Sequence, residues 1–136
     1  GRVVYVADQR HRQIIALDYD PVTGTTSNRR VFACLTEADG MPDGLIVDAE
    51  GFIWNGHWAG WKLTRYAPDG KIERQIRFPV QHVISCAFGG PELDELFVTT
   101  SAWDFGDEER KQQPLAGDLF RLKPGVKGLV EPAFAG

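Results

Sequence analysis

The sequence predicts an all-β fold, a β-propeller of about three four-stranded blades, on three observations. Short β-rich runs follow one another along the whole chain, helical periodicity is nearly absent, and the runs repeat. The runs hold roughly four to seven residues each, rich in Val, Ile, Phe, Tyr and Thr. In order they are "VVYVAD", "QIIALDY", "RRVFACL", "GLIVD", "FIWNG", "KLTRYA", "IERQIRF", "ISCAFG", "ELFVTT" and "DLFRLK". Between them fall turn signals, "DPVTG", "APDG", "FGGPELDE" and "KPGVKG", where glycine and proline end one strand and redirect the next.

The repeat separates a propeller from a sandwich. Tyr5, Trp54 and Phe97 each follow an apolar residue and open a similar strand. Each leads to a partner that closes in a proline turn, at Pro21, Pro68 and Pro124. A period of about 40–50 residues carrying several strands is that of a propeller blade. The second proline interval is the longer, because a polar insertion, "WDFGDEERKQQPLAG", lies between Trp103 and Gly117. That insertion reads as a solvated loop. Three blades do not close a ring, and closure is how a propeller removes its sheet edges. The chain is therefore expected to be part of a larger propeller, completed by further sequence, a second chain or a second copy.

Composition bounds the partners. With 43% hydrophobic and 25% charged residues over 136, the chain reads as one soluble globular domain. A net charge of −4 without a basic cluster argues against nucleic acid or an acidic membrane as partner. No apolar run approaches the about 20 residues of a membrane span. The N-terminal "GRVVYVAD" begins in strand-like sequence with no signal peptide pattern. Cys34 and Cys86 sit in apolar contexts without metal-type spacing, and read as small buried thiols compatible with a reducing, cytoplasmic location.

A resemblance adds a function. "ALDYDPVTGTTSNRRVF", "MPDGLIVDAEGFIW", "RYAPDGKIERQIRFPV", "SCAFGGPELDELFVTTSA" and "PLAGDLFRL" followed by "GVKGL" are similar to the second half of the regucalcin/gluconolactonase family of six-bladed propellers. The match runs over almost the whole chain, so residues 1–136 resemble a C-terminal half of one propeller domain. It implies metal-dependent hydrolysis of a sugar lactone to the aldonic acid. One divalent ion, Ca²⁺, Zn²⁺, Mn²⁺ or Mg²⁺, would sit at one mouth of the channel, polarise the lactone carbonyl and lower the pKa of the attacking water. In that family a Glu, an Asn and the Asp of "PDG" hold the ion, and only the last maps here, onto Asp43. The others would lie upstream of Gly1. The alternatives are a non-catalytic calcium- or ligand-binding propeller and an inactive piece lacking the other ligands, since fold does not fix function. Two departures bear on substrate preference: Ile84 stands where the family has Thr, and "NGHWAGWKL" is richer in Trp and His than the family pattern.

The candidate residues carry competing readings. "PDG" by itself is a turn signature. The resemblance, with a place at the start of an inner strand, makes Asp43 the metal and catalytic carboxylate, able to act as general base toward water. Asp48 opens "DAEG" and reads as a cap on backbone N–H groups. Asp8, at a strand end in "YVADQRHRQI", is a pocket candidate or the cap of the loop that follows. His57 and His82 are pocket candidates, although a histidine is more often a packed residue. Trp58 is a fourth; its indole, like those of Trp54, Trp61 and Trp103, offers an apolar face for a sugar ring, against the need of blade cores for large aromatics.

Overall fold

The computed structural model describes residues 2–131. Strands β1 (Val3–Asp8), β2 (Gln13–Tyr19) and β3 (Thr26–Cys34) form one antiparallel sheet. β4 (Met41–Val47), β5 (Ile53–Trp58), β6 (Lys62–Tyr66) and β7 (Ile72–Arg77) form the second. β8 (Val83–Gly89), β9 (Glu95–Thr100) and β10 (Leu119–Leu122) form the third. Among the described residues one α-helix, α1 (Asp107–Gln112), lies between β9 and β10, and a 3-10 helix, Glu37–Asp39, precedes β4. Every predicted strand is present, and the sheets are meanders, as in propeller blades.

The blades stack face to face through two apolar clusters. Between the first and second, Ile14, Ala33 and Tyr66 are buried, with Tyr5, Phe32 and Leu45 packed on them. Tyr5, Phe32 and Tyr66 meet edge to face, with ring centroids 5.0 and 6.2 Å apart, the arrangement their quadrupoles favour. Between the second and third, Trp54 and Leu63 pack with Val83, Cys86, Leu96 and Val98. The leading strands run side by side: β4 lies against β8 on one flank and β1 on the other. These are blades around one axis.

Strand number differs from blade to blade. Only the middle sheet has four strands; the flanking sheets have three among the described residues. Tyr5 of β1 corresponds to Trp54 of β5, the second strand of its sheet, so the first sheet shows no counterpart of β4. The free edge of β1 leaves Val4 and Val6 exposed. A strand edge of that kind is a pairing surface.

Two further differences concern local chemistry. The insertion after Trp103 is not merely a solvated loop: it contains α1, and Phe105 and Gln113 on either side of the helix are buried. Of the cysteines, Cys86 is buried, but Cys34 is exposed. Cys34 ends β3, the outer strand of its sheet, where alternation sends Ala33 into the core and Cys34 outward.

Candidate functional site

Asp43 sits on a bulge. β4 pairs with β5 as Met41 opposite Trp58 and Pro42 opposite His57, then slips, resuming at Leu45 opposite Asn55. Asp43 and Gly44 are the residues left over, as in a β-bulge that re-aims a side chain. Buried Asn55 fills the gap: its Nδ2 donates to the carbonyls of Asp43 and Gly44, at 3.1 and 3.2 Å. Glycine is required at position 44 because an added Cβ would overlap the Ser85 side chain on the next blade. The turn-like "PDG" is thus a strand bulge, shaped from outside by Asn55 and Ser85.

The bulge aims Asp43 into a cleft of about 400 Å³ lined by Gln9, Met41, Asp43, Trp58, Trp103 and Asp104. Burial pushes the Asp43 carboxyl up from its ordinary range, opposed more weakly by the Gly44 backbone N–H. No ion pair neutralises it among the described residues. A partly desolvated carboxylate without a cationic partner is costly for stability and available for chemistry.

Trp58, on the facing strand, forms one wall. His82 stacks on it, with centroids 3.8 Å apart and planes within 16°. The Ala59 backbone N–H donates to His82 Nδ1 at 3.1 Å, which places the ring proton on Nε2, 3.3 Å from Asp104 Oδ1. Burial lowers the His82 pKa, an effect partly offset by Asp104. His82 therefore acts behind Trp58 and beside Asp104 rather than as a lining residue.

The remaining candidates lie elsewhere. His57 is buried, and its Nδ1 donates to the Asp39 carbonyl at 2.8 Å, while its Nε2 has no partner among the described residues. Burial lowers its pKa. It braces the turn before β4 and does not line the cleft. Asp8 lines an adjoining hollow with Gln9 and Arg29. Its carboxylate accepts from the His11 ring and backbone N–H, at 2.9 and 3.1 Å, which lowers its pKa. It caps its loop, and Gln9 alone lines both hollows. Asn55 and Asp104 were not singled out by sequence for this site, and Trp103 was read there only as one of four tryptophans able to offer a sugar-stacking face. The polar Asn at an inward strand position was the available signal for the first.

Asp43 suits a divalent cation as one hard oxygen donor. Among the described residues no group of three or more His, Cys, Asp or Glu is gathered as such an ion requires. Asp104 is the one other carboxylate residue lining the same cleft.

Stacked meander blades around an axis, with a carboxylate-bearing cleft at one end of β4, define a β-propeller. Residues 1–102 match the SMP-30/gluconolactonase/LRE-like region, and the chain belongs to that family. It is 36% identical to regucalcin of Xenopus laevis over 99% of its own length and 46% of that protein's. It is 37% identical to a pentonolactonase of Haloferax volcanii, over 93% and 45% of the two chains. Its fold superposes on the structure of a calcium-binding protein, regucalcin, from Agrobacterium tumefaciens with a TM-score of 0.89. That pair is 31% identical over 97% of this chain and 45% of the other. The chain spans about half the length of the relatives it matches.

Proposed function

We propose that this chain is the C-terminal half of a six-bladed sugar lactonase, and that Asp43 is its metal-binding and catalytic carboxylate. The observation that carries the reading is the Asp43 bulge: strand β4 is broken at one point, and the break turns an unpaired, partly desolvated carboxylate into a cleft walled by indoles. Relatives named regucalcin, pentonolactonase and sugar lactone lactonase support the substrate class. The missing strand of the first sheet would pair along the β1 edge. The remaining blades, from further sequence or a second copy, would pack on the outer faces of the first and third sheets and bring the other donors to Asp43.

A bound Ca²⁺, Zn²⁺, Mn²⁺ or Mg²⁺ would supply Lewis acidity toward the lactone carbonyl. Asp43 holds the water and accepts its proton. The water oxygen bonds the carbonyl carbon, the ring C–O bond breaks, and the released alkoxide takes the proton to give the hydroxy acid. Asn55 fixes the backbone that aims Asp43. The setting we assign is the cytoplasm, where Cys34 would stay reduced; no helix among the described residues is long and apolar enough to cross a membrane.

The test is lactone hydrolysis by the complete propeller with each metal, with and without chelator. Turnover that chelator abolishes and Mn²⁺, Zn²⁺, Mg²⁺ or Ca²⁺ restores is the expected result. Calcium binding with no turnover on any lactone would favour the non-catalytic reading, which the calcium-binding relative keeps in view.

A further inference from the structure

The insertion between β9 and β10 is built, not draped. Its Phe105 is buried, with its ring centroid 5.1 Å from that of His82. At the far end, buried Gln113 accepts a hydrogen bond from the Gln81 backbone N–H at 2.7 Å. The Arg110 guanidinium donates to the Ala102 carbonyl at 3.2 Å and closes the loop on itself. Asp104 takes a left-handed backbone, φ 66°, and lies beside His82. Two buried anchors and a strained residue hold one side chain outward: Trp103 is 73% exposed, although it lines the cleft. Beside the Trp58 wall the indole extends an apolar surface at a cleft that also holds polar groups, the composition of a ligand pocket.

The geometry says how a ligand sits. Trp58 has His82 stacked on one face, whereas Trp103 has no such stacked partner among the described residues. The two indoles are tilted by 60° with centroids 6.0 Å apart. A ring sandwiched between them would need about 7–8 Å, twice the contact distance of carbon on carbon. The pair therefore forms a corner rather than a slot, and its open face belongs to Trp103. Around that corner stand the carboxylates of Asp43 and Asp104 and the Gln9 amide. An apolar plate beside hydrogen-bonding groups matches a saturated ring with C–H groups on its face and hydroxyls on its edge.

We propose that the β9–β10 insertion is the specificity element of the cleft, with Trp103 stacking on the hydroxylated ring of the lactone and Asp104 accepting its ring hydroxyls. The assignment rests on the lactonase reading for the identity of the ligand and on the anchored insertion for its location. His82 and Phe105 are positioning residues that hold the insertion to the cleft.

Steady-state kinetics of the complete propeller on D-glucono-δ-lactone and on δ-valerolactone, which has no hydroxyls, read the subsite. W103A is expected to raise KM for the sugar lactone about tenfold, and W103F to recover most of that loss. D104N is expected to narrow the preference for the sugar lactone over δ-valerolactone by about fivefold. Tryptophan emission titrated with 1,5-anhydro-D-glucitol, a hydroxylated ring with no lactone carbonyl, needs no turnover and is expected to show quenching that W103A removes. A KM and a titration unchanged by W103A overturn the assignment, as does a parent protein whose emission ignores 1,5-anhydro-D-glucitol. A parent that hydrolyses no lactone, yet loses its 1,5-anhydro-D-glucitol response in W103A, overturns the lactonase reading and leaves the subsite standing.

Discussion

The two ends of β4 treat an aspartate in opposite ways. At the far end Asp48 is wholly buried and saturated. Its Oδ1 accepts the backbone N–H groups of Glu50 and Phe52, both at 3.0 Å. Its Oδ2 accepts the Trp54 indole N–H at 2.9 Å and Arg65 Nε at 2.8 Å. Arg65 in turn reaches Glu50 and lies 3.9 Å over the Phe52 ring. At the near end Asp43 is half-buried and lacks a counter-ion, on backbone that breaks the ladder. A buried charge with every lone pair used holds a structure together. One left uncompensated at a cleft is kept for a ligand.

The largest expected effect tests the near end. Asp43→Asn in the complete propeller should lower lactone turnover by about 10²–10⁴-fold, the range for loss of a general base. The same change should raise the melting temperature at neutral pH, because it removes a buried unpaired charge. A variant that loses turnover by losing stability would merge the two aspartates into one class.

Asp48→Ala is the converse. Stripping the partner from buried Arg65 should cost about 3–5 kcal/mol in denaturant unfolding, with Glu50 and Glu73 easing the lower bound. Turnover per folded molecule should hold. Asn55→Ala falls between: two bulge carbonyls lose their donor, at a cost of about 1–3 kcal/mol, and turnover drops as Asp43 loses its aim. Stability without any change in turnover would detach Asn55 from the site.

The pH dependence is smaller. Burial lowers the pKa of His57 and of His82, so the unfolded chain binds the more protons below its own histidine pKa, about 6.5. Stability should therefore be complete above about pH 6.5 and decline as pH falls below it, read as melting temperature from pH 8 to pH 5. His57→Gln should flatten part of that slope. Smallest is the thiol contrast: Cys34 should react with a thiol reagent in the native protein. Cys86, whose thiol burial pushes up to about 12, should react only on unfolding.

The blades were legible because each strand carries its own period-two pattern and turn punctuation, which are local. Tyr5, Trp54 and Phe97 mark the repeat without reference to a neighbour. Asp48 was legible for the same reason, since its cap to Glu50 and Phe52 closes within four residues. Its ion pair with Arg65, two strands away, was not. Local pattern likewise pointed to the exposed Cys34 as buried, because "VFACL" does not say which face of an outer strand meets the core.

The cleft belonged to tertiary structure almost entirely. Residues as distant in sequence as Gln9, Asp43, Trp58 and Trp103 share it only because β4 lies beside β1 and β8. Trp58 could be proposed from its type, and His57 equally, yet one lines the cleft and the other turns to the Asp39 carbonyl. Adjacent strand residues point to opposite faces, so one step of register decides which meets a ligand. The sequence by itself determined strands, turns, repeat and family, all written in short-range pattern. Which carboxylate stays unpaired was decided by packing, because compensation of a charge depends on what the other blades bring to it.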